Sequence, residues 1–409
     1  MNRSKVLSSN LLLLLTLSLV VTSCRENPTD TVDDILTPSV KARLQHQLDS
    51  IALADGIPGA AIGLKLENGE EWYTRVGLAH AVFPPSNAQP SDTMAWDAQF
   101  RIGSITKTFT ATVILQLVDE GKFTLDTDVA SILPDFDMRY FEFDTITVRE
   151  LLQHTSGIQN YTNSGEWTLE YLEDHMRAWE PEELIVVADS LGIAPLSDYA
   201  PYPWLYSNTN YIILGEIIEQ VTGNTAAQEI TTRIIQPLGM TSTYFALQPD
   251  VDARVARGYS DFSCADYTQA PPFPGQGEAF YDITVLHPSQ GWTAGAIIST
   301  TKDLVKYVDA LVSGSLISGT MQSARLGNMV PAGKDGSSGF YGLGIARIEP
   351  GWIGHKGGFN GYDLSMYSKS GTASLVVLTN IGGTGCTTAG APQLFVAITE
   401  ELFSESPEV

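Results

Sequence analysis

Strand-like segments lie at both ends of this chain, and helical segments lie between them. Near the N-terminus, two apolar, partly alternating runs flank Asn68-Gly69, a dipeptide typical of tight β-hairpins. Near the C-terminus, further strand-like runs occur at 340–348, 352–356, 361–368 and 373–379. Because strands need partners, this order predicts one antiparallel sheet built from both ends of the chain. The predicted class is α/β (α+β), with N- and C-terminal helices flanking the sheet and a mostly helical domain inserted.

Helical patterns fill the space between these runs and extend beyond them. They occur at 40–51, 104–120, about 147–153, 168–191, 210–222, 226–236, 301–313 and 391–403. With 409 residues, 43% of them hydrophobic, the chain has enough apolar material for a large core. We expect a folded domain over 39–405, with a sheet subdomain at about 39–103 and 300–405 and a helical subdomain at about 104–299.

The N-terminal segment is typical of an export signal. Arg3 and Lys5 precede an apolar run, Leu11 to Val21, that is too short for a spanning helix. The run ends in "VTSC", which resembles the lipobox of bacterial lipoproteins. This predicts a lipoprotein signal peptide over 1–24, lipidation of Cys24 and a flexible tether over 25–38. The alternative is an ordinary cleaved signal with an incidental cysteine.

Composition restricts the partners of the exported domain. Asp and Glu total 47 against 23 Lys and Arg, and the net charge of -24 repels phosphate backbones and anionic headgroups. We therefore expect no nucleic acid partner and no membrane contact except through the anchor. Cys264 and Cys386 form a disulfide or remain two free thiols after export.

No metal or cofactor is expected. His46, His80, His175 and His287 have no second ligand at metal-binding spacing and are interpreted as surface or core histidines.

The segment "RIGSITKTFTATVILQLVDEG" carries the first candidate for chemistry. Ser104 and Lys107 lie three residues apart at the start of an amphipathic helix, so both side chains share one face and the amine can take the hydroxyl proton. The same spacing recurs at Ser299 and Lys302, where we expect a helix cap and an exposed lysine.

Two further segments offer polar groups. In "PWLYSNTNYIILGEIIEQVTG", Tyr206 and Asn208 form a polar turn before an apolar helix, where Asn208 could equally serve as the helix N-cap. In "GHKGGFNGY", His355 and Lys356 precede Gly357 and Gly358, whose lack of side chains lets a ligand approach a strand.

These segments, in this order, resemble the serine β-lactamase and DD-peptidase superfamily, and most closely its secreted D-alanyl-D-alanine carboxypeptidases, relatives of class C β-lactamases. The likeness extends from about Phe100 to Asn380 and includes "ITVRELLQHTSGI", "TAGAIISTTKDL" and "YGLGI". It implies a β-lactamase/transpeptidase-like fold.

The resemblance also implies a role for each candidate residue. Ser104 would be the acylated nucleophile and Lys107 the proton acceptor beside it. Tyr206 would pass a proton to the leaving amine and later activate water, and which of Lys107 and Tyr206 is the general base is left open. Asn208, His355, Lys356 and Gly357 bind substrate. Backbone N–H groups of Ser104 and Gly358 form the oxyanion hole. His154, in the "HTSG" turn, is expected to be structural.

This chain departs from the family pattern in two places. Lys356 replaces a threonine that helps hold the substrate carboxylate, so its amine either binds that carboxylate or leaves by the opposite face of the strand. Arg347 is another possible anion contact. "PYPW" replaces the common Pro-Gly before the tyrosine motif.

The expected function is that of a D-alanyl-D-alanine carboxypeptidase of the cell envelope, a monomer acting on small D-Ala-D-Ala-type peptides or β-lactams. A class C-like β-lactamase or a small-ester hydrolase shares every motif quoted, because fold does not fix substrate. An alternative of another class is a penicillin-binding sensor lipoprotein that is acylated without turnover.

Overall fold

Strands from both ends of the chain pair into one antiparallel sheet in the computed structural model. The structure describes residues 34–80, 92–135, 145–249, 253–260, 281–333, 338–382, 390–407 and 409. Its strands are β1 (Gly59–Leu66), β2 (Glu71–Gly77), β3 (Phe100–Arg101), β4 (Tyr244–Phe245), β5 (Tyr259–Ser260), β6 (Tyr281–Asp282), β7 (Ile297–Ser299), β8 (Val330–Pro331), β9 (Phe340–Tyr341), β10 (Ala346–Ile348), β11 (Trp352–Phe359), β12 (Tyr362–Lys369) and β13 (Ala373–Thr379). Within the described residues, the main sheet has the order β2-β1-β13-β12-β11-β10-β9-β8. The predicted fold class is therefore confirmed.

Helices cover both faces of this sheet. They are α1 (Pro38–Ala54), α2 (Thr106–Asp119), α3 (Val129–Ile132), α4 (Val148–Gln153), α5 (Gly165–Glu173), α6 (Pro181–Leu191), α7 (Asn208–Thr222), α8 (Ala226–Ile230), α9 (Trp292–Gly295), α10 (Thr301–Ser313), α11 (Gly319–Gly327) and α12 (Ala391–Phe403). The segment predicted as helical over 168–191 forms α5 and α6, because Pro181 lacks an N–H and can only begin a second helix.

The two faces of the sheet bury different residues, because side chains alternate along each strand. On the outer face, Tyr367 and Leu375 pack with α1 and α12. On the inner face, Met366 and Val376 pack with the core that includes α2, α7 and α10.

The folded unit extends from Leu36 to Val409. Leu36 is only 3% exposed, and Thr37 caps the helix that begins at Pro38, so the end of the segment predicted as a tether belongs to the fold. The predicted signal peptide, Cys24, Cys264 and Cys386 lie outside the described residues. Within the part of the chain that the structure describes, none of the helices has both the length and the apolar character to span a membrane.

Candidate active site

Ser104 lies in a 3₁₀ turn, Gly103–Ile105, that leads directly into α2. Its Oγ lies 3.0 Å from Lys107 Nζ and accepts a hydrogen bond of 2.8 Å from the Tyr206 hydroxyl. Residues 102 positions apart in the sequence therefore meet at one hydroxyl group. The three residues that sequence reasoning selected for catalysis are in contact.

Lys107 is fully buried and has two further neighbours. Its Nζ lies 2.7 Å from Asn208 Oδ1 and 2.9 Å from the backbone oxygen of Ala294. Burial lowers the pKa of Lys107 well below its ordinary value, because a desolvated ammonium is costly. A neutral amine can donate its two N–H groups to these two oxygens, which are acceptors only, and keep its lone pair for the Ser104 hydroxyl.

The pKa of Tyr206 shifts in the opposite direction to that of Lys107. Burial raises the pKa of its phenol, and the hydrogen bond to Ser104 opposes this shift only in part. The phenol therefore keeps its proton near neutral pH and donates a hydrogen bond to Ser104 Oγ. A neutral amine on one side and a neutral phenol on the other form a continuous proton path through the nucleophile.

Asn208 is the first residue of α7, and the N-cap position belongs to Ser207. The alternative in which Asn208 acts as the helix N-cap is therefore not what the fold adopts. Its side-chain oxygen accepts from Lys107, which orients the lysine, and its backbone N–H donates to Asn160 Oδ1 at 3.3 Å. Sequence reasoning gave no role to Asn160, which begins the segment "NYTN" after the "HTSG" turn.

The turn that carries Tyr206 is fixed by His154. The backbone oxygen of His154 accepts from the N–H of Leu205 at 3.0 Å, and its Nδ1 accepts from the N–H of Ser207 at 3.2 Å. The His154 ring also packs against the Tyr206 ring, with 4.3 Å between their centroids. These contacts give His154 the structural role expected from the sequence.

The β11 strand forms the opposite wall. A two-residue turn, Asn360-Gly361, joins β11 to β12, and Phe359 and Tyr362 on either side of it form a hydrogen-bonded pair. Hydrogen-bonded and non-hydrogen-bonded pairs alternate along an antiparallel hairpin, so the N–H and C=O of Gly358, one residue earlier, point away from β12. They face the turn that carries Ser104: a Cβ on Gly103 would lie 2.4 Å from the oxygen of Gly358 and 3.1 Å from its nitrogen. The predicted oxyanion N–H groups are thus on neighbouring backbone segments.

Gly357 lies on the inner face, where there is no room for a side chain. A Cβ there would lie 2.4 Å from the backbone oxygen of Ile102. Gly357 therefore allows the turn that carries Ser104 to pack directly on the strand, which is a structural reason for its presence.

His355 points to the inner face and is 4% exposed. Its Nδ1 donates to the backbone oxygen of Lys356 at 2.5 Å, so its Nε2 is the acceptor for the Tyr341 hydroxyl at 2.8 Å. Burial lowers the pKa of His355 to about 4, which keeps the ring neutral. Since both ring nitrogens have protein partners, His355 lies beside the site without a free nitrogen for substrate.

Lys356 points away from the cleft, contrary to the expectation that it binds substrate. It pairs with Ser365 in β12, and both lie on the outer face, opposite to His355 and Gly357. Lys356 is exposed, and its charge lies near Asp363. Burial raises the pKa of the Asp363 carboxyl, and the positive charge of Lys356 opposes this rise. The second alternative stated for Lys356, departure by the opposite face, is the observed one.

The second Ser-x-x-Lys pair, Ser299 and Lys302, does not have the arrangement of Ser104 and Lys107. Ser299 ends β7 with its hydroxyl 2.7 Å from that of Thr243, and Lys302 is exposed. The expectation that Ser299 caps the following helix is wrong, since Thr300 accepts the capping bond of α10.

The fold and the Ser104, Lys107 and Tyr206 contacts define the class: a serine hydrolase of the β-lactamase and penicillin-binding-protein superfamily. The family model described as Beta-lactamase matches residues 33–394, and the chain belongs to that family.

Named relatives fall into two groups. Penicillin-binding protein 4 of Amycolatopsis lactamdurans is 27% identical over 273 residues, which are 66% of this chain and 63% of that protein. The chain thus spans less than two thirds of that relative's length. Among solved structures, a D-stereospecific amidohydrolase from Streptomyces sp. is 30% identical with a TM-score of 0.72, covering 89% of this chain and 99% of that one. D-amino acid amidase from Ochrobactrum anthropi SV3 is 26% identical with a TM-score of 0.74, covering 90% and 99%.

Proposed function

We propose that this protein hydrolyses amide bonds that follow a D-residue, with Ser104 forming an acyl-enzyme and an uncharged amide or peptide nitrogen as the leaving group. The observation that carries the proposal is the position of Ser104 Oγ, 3.0 Å from the Lys107 amine and 2.8 Å from the Tyr206 phenol.

The proposed reaction begins with the neutral amine of Lys107. It takes the Ser104 proton as Oγ bonds to the substrate carbonyl carbon, and the oxyanion accepts from the N–H groups of Ser104 and Gly358. Tyr206 gives its proton to the leaving nitrogen as the C–N bond breaks, and the Lys107 ammonium, whose Nζ lies 5.0 Å from the centroid of the Tyr206 ring, returns a proton to the resulting phenolate. Water then attacks the acyl-enzyme by the same path in reverse.

Two observations support a leaving group without a terminal carboxylate. Lys356, the cation that the sequence offered for that carboxylate, is on the outer face of β11. In addition, the D-stereospecific amidohydrolase and the D-amino acid amidase are 30% and 26% identical to this chain over about nine tenths of its length. A D-aminoacyl amide is the simplest substrate with these features.

D-alanyl-D-alanine carboxypeptidase activity is the second candidate. Arg347 pairs with Ile353 and so lies on the inner face with His355. Its guanidinium packs on the Phe340 ring, 4.5 Å from the centroid, and its Nε lies 3.9 Å from the carboxylate of Glu349, an ion pair longer than a hydrogen bond. A terminal carboxylate could pair with this group, and penicillin-binding proteins among the relatives favour the same activity.

One pair of substrates separates the two candidates. The dipeptide D-Ala-D-Ala and its amide, D-Ala-D-Ala-amide, both with a free amino group, differ only in the terminal charge. We expect the amide to be cleaved at least as fast as the acid, and L-Ala-L-Ala-amide to be inert. Preference for the acid would establish the carboxypeptidase. Hydrolysis of a chromogenic cephalosporin or of a p-nitrophenyl ester alone would move the assignment to a β-lactamase or esterase, and labelling without turnover to a sensor.

Two controls test the mechanism itself. Ser104→Ala should abolish covalent labelling by a fluorescent penicillin and all hydrolysis. Ser299→Ala, at the other Ser-x-x-Lys pair, should leave both unchanged. Hydrolysis by Ser104→Ala at the wild-type rate would contradict the acyl-enzyme.

We also propose that the enzyme works as an exported monomer, anchored in the bacterial cell envelope by a lipid on Cys24. The basis is the sequence pattern before that residue. Metabolic labelling with palmitate in a bacterial host should be lost in Cys24→Ala.

A further inference from the structure

The two ends of the cleft along β11 differ. Tyr206, which donates its proton to the leaving nitrogen in the proposed reaction, lies on the side of the cleft where His355 is. The centroid of the His154 ring is 4.3 Å from that of the Tyr206 ring and 4.9 Å from that of the Tyr341 ring. The Tyr341 hydroxyl in turn is hydrogen-bonded to His355. The leaving group therefore lies toward His355. The acyl part of the substrate must run the other way, past Gly358 toward Asn360.

A hydrogen bond closes the acyl end. The Asn360 amide, at the tip of the hairpin, donates to the Tyr171 hydroxyl of α5 at 2.5 Å, across the gap between sheet and helices. Tyr171 is 6% exposed and stacks on Trp167, with 5.3 Å and 3° between the rings, so its hydroxyl is held in place.

A second contact closes the same end of the cleft, between Phe359 and the backbone at α9. The Phe359 ring reaches the backbone before and within α9: a Cβ on Gly291 would lie 3.0 Å from that ring, and one on Gly295 would lie 3.4 Å from it. The hairpin tip is therefore joined to the helical side by an aromatic ring and by a hydrogen bond. Together these contacts form a barrier, which consists of Phe359, Asn360 and Tyr171.

The barrier lies a short way beyond the reacting carbonyl. Asn360 is two residues after Gly358, a distance of roughly 7 Å along a strand. An extended peptide advances about 3.3 Å per residue, so a single residue with a free amino group fits before the barrier, and a longer acyl chain must cross it.

We propose that the enzyme acts from the amino end of its substrates, taking single D-residues with a free amino group as the acyl part and excluding longer peptides. This inference rests on the proposed function. It narrows the substrate class to D-amino acid amides and to D-aminoacyl peptides cleaved after their first residue.

The test compares D-alanyl-p-nitroanilide with the same anilide bearing three more residues on its amino group. We expect wild-type kcat/KM to be at least about tenfold higher for the short substrate. Tyr171→Phe, which keeps the stacked ring and removes the hydroxyl, and Asn360→Gly, which suits the two-residue turn, should each bring the ratio closer to one. Asn68→Gly, in the other Asn-Gly hairpin, is the matched control and should not change the ratio.

Each outcome has a separate meaning. If wild type hydrolyses neither anilide nor any other D-amide, the proposed function fails. If it hydrolyses both anilides equally, that function stands and the barrier is refuted. A wild-type preference that persists in the Tyr171→Phe, Asn360→Gly double variant, with an unchanged unfolding midpoint, would also overturn the barrier as its cause.

Discussion

His154 Nδ1 lies 3.2 Å from the backbone nitrogen of Ser207, so the residue directly after Tyr206 is held by a ring from a different segment. His154 has φ 59°, a left-handed conformation that histidine, asparagine and glycine tolerate better than most residues. Its Nδ1 also lies 3.3 Å from Asn210 Nδ2 and accepts both N–H groups, which defines the Nε2–H tautomer. The orientation of the Tyr206 phenol thus depends on a residue outside the proton path.

We predict that His154→Gly lowers kcat about 100-fold while KM changes less than about threefold, because a misplaced phenol slows proton transfer more than binding. His154→Asn keeps an acceptor near Nδ1 and the left-handed backbone, so it should recover part of kcat. The rates are measured per active site titrated with a covalent serine reagent. An unchanged kcat in His154→Gly would exclude this positioning role.

A second prediction concerns stability in acid. Burial lowers the pKa of His355 from 6.5 to about 4, so below pH 6.5 the unfolded chain binds more protons than the folded one. Stability is therefore lost as the pH falls from 6.5 to 4. We expect His355→Gln to reduce the drop in unfolding free energy between pH 7 and 4.5 by about 2 kcal/mol.

Urea unfolding at the two pH values measures this difference. His46→Gln, for a histidine outside the core, is the control and should reproduce the wild-type drop. A His355→Gln protein as acid-sensitive as wild type would mean that His355 does not carry the effect.

For Lys356, the prediction is the absence of an effect. Because its side chain is on the outer face, Lys356→Ala should change kcat/KM less than about twofold for both the peptide acid and the peptide amide. Arg347→Ala is the comparison, and it should slow the acid alone if the carboxypeptidase activity exists. Selective loss of the acid in Lys356→Ala would place that ammonium in the cleft and contradict the observed register.

Two adjacent glycines make a matched pair for a stability test. A Cβ at Gly357 meets the Ile102 backbone at 2.4 Å, whereas a Cβ at Gly358 meets nothing within 4 Å. Gly357→Ala should lower the free energy of unfolding by about 1–3 kcal/mol, as overpacking does, and Gly358→Ala should leave it close to wild type. Equal unfolding curves for the two variants would refute the close approach of the Ser104 turn.

Much of the fold was accessible from local patterns. The helix at Thr301–Ser313 and the strand at Ala373–Thr379 have the predicted bounds, because the first is a strongly periodic segment and the second a short run that is mostly apolar and buried throughout. Bounds failed where a backbone rule competed with periodicity, as at Pro181. Among site residues, Ser104, Lys107 and Tyr206 were found by type, spacing and order. The contact of Lys107 with the Ala294 oxygen was not, since a backbone carbonyl carries no mark of its partner in the sequence.

The sequence by itself determined the nucleophile candidate, its neighbouring amine and the order of the segments that meet it, since these depend on spacing within one helix and on residue type. It also required His355 and Lys356 to point to opposite faces, because side chains alternate along a strand. Only the tertiary structure decided which of the two faces the cleft. The outer face of β11 packs toward α1 and α12 and the inner face toward α2, so His355 is buried and Lys356 lies in solvent.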